Sequence, residues 1–423
     1  MSLNDEPASP TARLMQAPSF NLCILALFGY STKIDVNLFK KCLEQTLLKH
    51  PRFSSLLVVN DKKPGKCSWR RTKVDLENHV YVPDLDPDME NPDEFVEDFT
   101  SGLSRIPLDY AKPLWEVHIL NVKTSDANSV VIFKVHHSMG DGVSMISLVL
   151  ACSKKLSDPE SLPVMPSKKR KQKQKPNSGL VGLMKRLFVS VWIILVVIFN
   201  TLIDSALFLA TILFLKDSKT PIKGGRRVDR APKRFVHRIV SLDDVKLVKN
   251  AMNVSINDVV LGVAEAGLTR YLNRTYDTAQ KHRENGAQVM KKTRALPRHL
   301  RLRSAVIFNL RPTPAIETAA AVTSAVFRNT TFGISNVAGP LEEISLFGHP
   351  LCYIAPSVHG FPHALIIHCQ TYANKLIICL AADENLIPNP HQLCDDLQKS
   401  LQIIKETVIK RGLVKGSPLC ETV

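Results

Sequence analysis

The chain has 423 residues and a formal net charge of +16, and hydrophobic residues make up 45% of it. This length predicts two domains rather than one core, and the apolar content excludes an intrinsically disordered chain. The nine cysteines show no paired spacing. We therefore expect reduced thiols in a cytosol-facing protein, not a disulfide framework or a zinc site.

Two regular segments stand out in the first third of the chain. Apolar positions recur at helical spacing between Val36 and Leu47, which predicts an amphipathic helix that ends before Pro51. Residues 129–135 form an apolar, β-branched run that is typical of a buried strand, and residues 143–150 predict a helix packed against that strand.

The residues that join this strand to this helix are His-His-Ser-Met-Gly-Asp-Gly, at 136–142. A histidine at the end of a strand lies at the lip of a cleft, and its imidazole can take a proton from a hydroxyl or thiol and return it. Adjacent residues of a strand point to opposite faces, so at most one histidine faces the cleft. We expect Asp141 to lock the turn through a salt bridge. Two neighbouring histidines cannot easily bind one ion, so no metal is expected.

Positive charge is concentrated in the middle of the chain. Between Lys168 and Arg238 there are seventeen Lys or Arg residues and three Asp, which supply +14 of the net charge. The run Lys168–Lys175 alone is compatible with nucleic-acid binding. It is followed by residues 187–215, which contain no Lys or Arg. Basic residues beside an apolar helix are attracted to anionic lipid head groups, so we predict membrane lipids as partners and no nucleic acid.

The apolar segment 187–215 is long enough to span a bilayer, which requires about 20 residues. One crossing would place the histidine pair and the later Asn257 on opposite sides of the membrane. Two crossings would need about 40 residues plus a turn. We therefore expect a helix, or a helix pair broken near Asn200 and Asp204, that lies in the membrane interface. The alternative is a buried core helix.

The second half continues the alternation of strands and helices. Ser255–Gly262 reads Ser-Ile-Asn-Asp-Val-Val-Leu-Gly, where an Asn-Asp pair precedes an apolar run, as at a helix cap. Further predicted elements are strands at 304–310, 330–337, 364–370 and 376–382, the last two forming a hairpin, and a helix from Leu393 to Val408. This alternation predicts α/β sandwiches with mixed sheets.

Several of these motifs together resemble the wax ester synthase/diacylglycerol acyltransferase family, and the plant members most closely. The HHxxxDG pattern at 136–142 is the signature of CoA-dependent acyltransferases. Acyltransferases with a DFGWG segment match less well, because this chain has none. Other segments that resemble family elements are, in order, Pro10–Arg13, Pro113–His118, Ser255–Gly262, Asn309–Pro312 and Ser335–Pro340.

The resemblance implies two α/β sandwich domains, each like chloramphenicol acetyltransferase, with mixed sheets and a tunnel between them. The expected domains are an N-terminal domain at 1–165, a basic linker with the membrane segment at 166–235, and a C-terminal domain at 236–423. In relatives, several dozen residues separate the two last motifs, whereas here only Thr313–Ile334 lies between them. The second domain is therefore expected to be incomplete, and this form to have weak transferase activity or none.

The resemblance also implies the chemistry. A long-chain acyl group would pass from acyl-CoA, a co-substrate and not a bound cofactor, to a fatty alcohol or diacylglycerol. His137 would be the general base, with His136 supporting it, and Gly142 would let the acyl chain or pantetheine approach. Asn257 and Asp258 are the expected substrate-binding pair of the second half, with Asp258 as structural support.

The expected location is the cytosolic face of the endoplasmic reticulum, with the plasma membrane as the alternative. Two other functions compete with the transferase. A catalytically impaired, membrane-associated lipid- or acyl-CoA-binding protein is favoured by the short interval in the second half. A basic nucleic-acid-binding protein is disfavoured by HHxxxDG.

Overall fold

The computed structural model describes most of the chain. The described residues are 5–16, 21–59, 67–86, 88–164, 180–225, 228, 231–284, 297, 299–306 and 316–414. The basic run Lys168–Lys175 and the motif Asn309–Pro312 lie outside these residues.

A seven-stranded mixed sheet organises the first half. Its strands are β2 Cys23–Tyr30, β5 Val80–Tyr81, β6 Trp115–Leu120, β7 Ser129–His136, β8 Ser153–Lys155, β12 Ile344–Leu346 and β13 His349–His359. Their order is β5-β6-β7-β2-β13-β12-β8. Strand β7 is buried along its whole length, as its apolar sequence predicts. A smaller antiparallel sheet contains β1 Glu6–Pro7, β3 Ser55–Val59 and β4 Cys67–Arg71.

The helices of the described chain include the two predicted in the first third. They are α1 Pro10–Leu14, α2 Val36–Gln45, α3 Pro92–Arg105, α4 Gly142–Ala151, α5 Leu180–Leu213, α6 Leu242–Met252, α7 Ile256–Glu284, α8 Ile316–Asn329 and α9 Pro390–Lys410. Short 3-10 turns occur at Leu47–Lys49, Pro51–Ser54, Leu76–Asn78 and His137–Met139.

A five-stranded mixed sheet organises the second half. Its strands are β9 Lys233–Ser241, β10 Ser304–Val306, β11 Phe332–Val337, β14 Leu365–Tyr372 and β15 Lys375–Asp383, in the order β10-β11-β14-β15-β9. The predicted hairpin is present, and it turns at Ala373 and Asn374, which both have positive φ. Helices α6, α7 and α9 cover one face of this sheet.

The other face of the five-stranded sheet looks toward the first half. Along β14, Leu365 and Ile367 belong to the core under the helices, whereas Ile366 and Tyr372 belong to the core of the first half. Successive strand residues alternate between faces, so one strand supplies both cores. The two halves thus share a continuous apolar junction.

Two strands from the later part of the chain, β12 and β13, belong to the sheet of the first half, which the predicted domain boundaries did not anticipate. β13 pairs with β2 from Leu351–Tyr30 to His359–Cys23, and β12 pairs with β8. Residues within the predicted C-terminal domain, 236–423, therefore complete the sheet of the first half. Sheet membership does not follow the order of the chain.

Helix α5 contains the predicted membrane segment. It runs for 34 residues without interruption, about 51 Å at the rise of an α-helix. Within it, Leu187–Leu213 has a mean hydropathy of 2.4 and is exposed as far as Leu209, and it is the one helix of the described chain with the length and apolarity to cross a membrane. The alternative of a buried core helix is therefore wrong. Of the two predicted forms, the single helix is present, and the break near Asn200 and Asp204 is absent.

The C-terminal end of α5 is fixed to the second half. The buried Asp217 carboxylate accepts hydrogen bonds from the Arg303 side chain at 2.6 Å and from the Thr331 hydroxyl at 2.6 Å. Asn329 donates to the carbonyl of Thr211 at 2.6 Å. The exposed helix is therefore held at one end by a buried polar anchor.

Candidate active site at the junction of the two halves

His136, the last residue of β7, is buried within a hydrogen-bonded network. Its Nε2 lies 2.9 Å from Asn21 Oδ1, and its Nδ1 lies 2.7 Å from Ser138 Oγ. Burial, followed by the charge of His137, lowers the pKa of His136 to about 4. A neutral imidazole with both nitrogens engaged is suited to supporting the turn, which is the role predicted for it.

His137 opens the 3-10 turn and is half-buried. Its Nδ1 is shielded from solvent and has no hydrogen-bond partner within the described chain. Burial lowers the pKa of His137, while its own backbone carbonyl and the charge of Asp141 act in the opposite direction. The imidazole is therefore mostly neutral at pH 7, which is the form that a general base requires.

Asp141 holds the start of α4. It is the N-cap of this helix, and its carboxylate accepts a hydrogen bond from the backbone N–H of Ser144 at 2.7 Å. Among the described residues no Lys, Arg or His forms a salt bridge with it, and the predicted salt bridge stays a prediction. An aspartate at a helix start satisfies a backbone donor that would otherwise lack a partner, and this needs no cation. Arg52 instead donates to the carbonyl of Met139 at 2.9 Å.

Gly142 is the point where the histidine turn 136–142 meets the second half. A Cβ at this position would lie 3.6 Å from Cγ2 of Val337, the last residue of β11, which is ordinary van der Waals contact. The end of β11 therefore forms a wall beside the turn. The predicted approach of the acyl chain or pantetheine to Gly142 stays a prediction.

Asp258 and Asn257 lie at the start of α7. The Asp258 carboxylate accepts hydrogen bonds from the backbone N–H and the hydroxyl of Ser255, both at 2.8 Å, and the Ser255 hydroxyl accepts from the backbone N–H of Asp258 at 3.2 Å. This reciprocal capping lowers the pKa of Asp258 and agrees with structural support. Asn257 Oδ1 accepts from Asn336 Nδ2 at 2.6 Å, next to Val337. Substrate binding by the pair stays a prediction.

His368 is a candidate that the sequence reasoning missed. It lies on β14, in register with Ser335 of β11, and only 7% of it is exposed. Its Nδ1 is buried and has no hydrogen-bond partner among the described residues. Burial, followed by the charge of His137, lowers the pKa of His368 to about 4. A polar residue inside a β-branched run is the signal that could have identified it.

An apolar cavity adjoins the histidine turn 136–142. It lies between α4 and strands β2 and β7. Val135, the residue before the histidine pair, is part of its wall. The lining residues are Ile24, Ala26, Phe28, Leu47, Phe53, Phe133, Val135, Met145, Leu148, Val149, Cys152, Leu346 and Phe347.

The described residues contain no group of three or more His, Cys, Asp or Glu side chains that could hold a metal ion. The absence of a bound cofactor remains an expectation from the sequence. The groups at the junction are imidazoles, amides and apolar side chains, which suit proton transfer to and from an organic substrate.

Comparison with known proteins identifies the fold. A solved structure of a wax ester synthase/diacylglycerol acyltransferase from Marinobacter aquaeolei VT8 superposes with a TM-score of 0.58 at 18% identity, covering 95% of this chain and 99% of that one. The first condensation domain of the calcium-dependent antibiotic synthetase gives a TM-score of 0.55 at 13% identity, covering 96% and 97%. The predicted class, two chloramphenicol-acetyltransferase-like α/β units with mixed sheets, is confirmed.

Relatives identified from sequence extend along nearly the whole chain. Wax ester synthase/diacylglycerol acyltransferase 11 of Arabidopsis thaliana is 43% identical, with 97% of each chain covered. Wax ester synthase/diacylglycerol acyltransferase 7 of the same plant is 40% identical, with 97% of this chain and 99% of the relative covered. The first alignment is 482 positions long, although this chain has 423 residues. The relative therefore contains segments without a counterpart here, and their location in the interval Thr313–Ile334 stays a prediction.

Two family models also match. The wax ester synthase/diacylglycerol acyltransferase catalytic domain matches residues 17–260, which include the histidine turn and the start of α7. The C-terminal domain of the same family matches residues 273–405. The chain therefore belongs to the wax ester synthase/diacylglycerol acyltransferase family, as its motifs predict.

Proposed function

We propose that this protein transfers a long-chain acyl group from acyl-CoA to the hydroxyl of a fatty alcohol or a diacylglycerol. The observation that carries the proposal is His137, a half-buried histidine with a lowered pKa, located where the two halves meet and next to an apolar cavity. The family supplies the substrate class, because its members carry both activities in their names.

In the proposed reaction, neutral His137 takes the proton of the acceptor hydroxyl. The oxygen attacks the thioester carbonyl carbon, and a tetrahedral intermediate forms. The carbon–sulfur bond then breaks, and the protonated His137 returns its proton to the departing CoA thiolate. The new ester and free CoA are the products, and all atoms and charges balance. His136 keeps the turn in place, since both of its nitrogens already have partners.

The cavity under α4 matches the proposed acyl chain in its chemistry. Its lining is apolar throughout, as expected of a site that receives a hydrocarbon chain. A chain bound there would place its thioester near His137, because Val135 and Met145 flank the catalytic turn.

We further propose that α5 attaches the protein to the membrane interface, at the cytosolic face of the endoplasmic reticulum or at the plasma membrane. Strands β8 and β9, which precede and follow this helix, belong to sheets that share one core. Both ends of the intervening chain are therefore on the same side of any bilayer. A long apolar helix that is exposed along most of its length and has both ends on one side supports an in-plane position rather than a single crossing.

The test is ester synthesis by the protein in vesicles of anionic phospholipid. Labelled acyl-CoA is supplied with a fatty alcohol or with diacylglycerol, and the lipids are separated. Labelled wax ester or triacylglycerol, absent with His137→Ala, is the expected result. Product formation at the wild-type rate by His137→Ala would contradict the mechanism.

The catalytically impaired lipid-binding protein is the second candidate, and the length mismatch with the relatives favours it. It predicts a different outcome in the same vesicles. Acyl-CoA would bind with the same affinity to the wild type and to His137→Ala, and no ester would accumulate with either acceptor.

A further inference from the structure

The face of the second-half sheet that meets the catalytic turn is defined by two strands. Val337, at the end of β11, is the residue that a side chain at Gly142 would touch. His368 of β14 is in register with Ser335, two residues before Val337. Residues in register on neighbouring strands share a face, and residues two apart on one strand do so as well. His368 and Val337 therefore face the same side, toward the first half.

The neighbours of His368 on β14 also indicate that its side chain faces the first half. Ile366 and Tyr372, an even number of residues away, pack in the core of the first half. Ile367 and Cys369 pack in the opposite core, under the helices. His368 thus points into the junction, where His137 lies on the other side.

The protonation state and hydrogen bonding of the His368 imidazole determine whether it can donate a hydrogen bond at the junction. Its Nδ1 is buried without a hydrogen-bond partner in the described chain, and such a nitrogen carries a desolvation penalty that a bound substrate could relieve. The pKa of about 4 keeps the ring neutral at pH 7. A neutral imidazole has one N–H donor, so His368 can donate a hydrogen bond without placing a second positive charge beside His137.

We propose that His368 is a second catalytic residue of this transferase, whose Nδ1–H donates a hydrogen bond to the thioester carbonyl oxygen across the junction from His137. This inference rests on the proposed acyl transfer. When the acceptor oxygen attacks, the carbonyl oxygen becomes negatively charged, and a donor aimed at it lowers the barrier. His137 is occupied by the acceptor proton, so the donor must be another group.

His368 is a better donor to the carbonyl oxygen than Asn257, the substrate-binding residue predicted for the second half. Asn257 hydrogen-bonds Asn336, which lies on the face of β11 opposite to Val337, away from the histidine turn. His368, in contrast, has an unpaired nitrogen on the face that meets the turn. The geometry therefore assigns the carbonyl contact to β14 rather than to the start of α7.

The test compares two unreactive analogues of acyl-CoA bound to the full chain in vesicles. One is a ketone in which a methylene replaces the sulfur and the carbonyl is kept. The other is an S-alkyl thioether in which the carbonyl is replaced by a methylene. We expect His368→Phe to weaken binding of the ketone by about three- to tenfold, the worth of one hydrogen bond, and to leave binding of the thioether unchanged.

Kinetics give a second readout on the same variants. Loss of one oxyanion donor reduces kcat by about 10²-fold, a larger effect than the rise of about three- to tenfold in KM for acyl-CoA that loss of the ground-state contact predicts. His368→Gln keeps an N–H donor and should recover part of both effects. His368→Met has no such donor but adapts to irregular space, so it repeats the test if the phenylalanine variant fails to fold.

The matched control is His349→Phe. His349 is equally buried, at 7% exposure, but its ring contacts Thr32 and the backbone N–H of Asp35, away from the turn. We expect this variant to bind both analogues as the wild type does.

Equal weakening of both analogues by the His368 variants, or no weakening of either, would overturn the assignment. If the wild type is active and His368→Met has the same rate and the same affinities as the wild type, His137 remains the proposed base and only the role of His368 is overturned. A wild type that binds neither analogue and forms no ester would overturn the proposed function as well.

Discussion

The two sides of the junction are built differently. The side of the first half is contiguous: His136, His137, Asp141 and Gly142 lie within seven residues, on one strand, one turn and one helix cap. The side of the second half is assembled: Val337 and His368 come from strands that are neighbours only in space. A site whose residues are contiguous in the chain can be recognised as a sequence motif. A site whose residues come from separate strands forms only when those strands have paired. Variants on each side should therefore fail in different ways.

The largest expected effect is on the contiguous side. His137→Ala should reduce ester formation by about 10² to 10⁴-fold, because general-base catalysis contributes that much. His136→Ala should instead lower the melting temperature, because the ring supports Ser138 and Asn21. Initial rates at equal amounts of folded protein, with melting curves, separate the two. A larger loss of rate in folded His136→Ala than in His137→Ala would reverse the roles.

The next largest expected effect is a loss of stability in the second half, caused by removing the ion pair between Arg303 and Asp217. Arg303→Leu leaves the buried Asp217 without its cation, and breaking such a pair costs about 3 to 5 kcal/mol. Because Thr331, which also bonds Asp217, directly precedes β11, we expect unfolding at lower denaturant concentration. Arg238→Leu removes a more exposed pair with Asp395 and should cost about 1 kcal/mol or less. Equal denaturation midpoints for the two variants would contradict a structural anchor at Asp217.

A smaller effect tests the cap of α4. Asp141→Ala removes the hydrogen bond to Ser144 and should cost about 0.5 to 2 kcal/mol, whereas Asp141→Asn keeps a good cap and should be nearly neutral. The measurement is the free energy of unfolding for both variants. Equal destabilisation by both would show that the charge of Asp141, rather than its cap, holds the turn.

The smallest effect is a shift of the pH profile. Burial lowers the pKa of His137, so kcat/KM should rise with pH along a limb that lies below pH 6.5. The base is lost as pH falls through that pKa. The charge of Asp141 raises the pKa, so Asp141→Asn should move the limb to lower pH. Profiles of both proteins decide this, and a limb above pH 7 in the wild type would refute a desolvated base.

Sequence reasoning found what short segments determine. The turn at 136–142, the hairpin of β14 and β15 and the final helix depend on periodicity and on local turn residues. The passage of β13 into the first sheet was missed, because strand pairing is non-local and apolar strands look alike in sequence. His368 was missed for the same reason, since its partner across the junction is distant in the chain.

Two local details were left partly open by the sequence. Of the two predicted forms of the apolar segment, the single helix is present, because Asn200 and Asp204 lower helix propensity by less than about 1 kcal/mol each, which one long apolar helix tolerates. The helix cap formed by Asp141 was not predicted, although a helix start always presents backbone N–H groups that need an acceptor.

The position of β12 and β13 in the sheet of the first half has a consequence for folding. The seven-stranded sheet needs β12 and β13, which come late in the chain, and β13 is joined to β2 by a ladder along its length. A fragment that ends before these strands therefore lacks two strands of its own sheet. We expect thermal unfolding to be one cooperative event and neither half of the chain to fold alone.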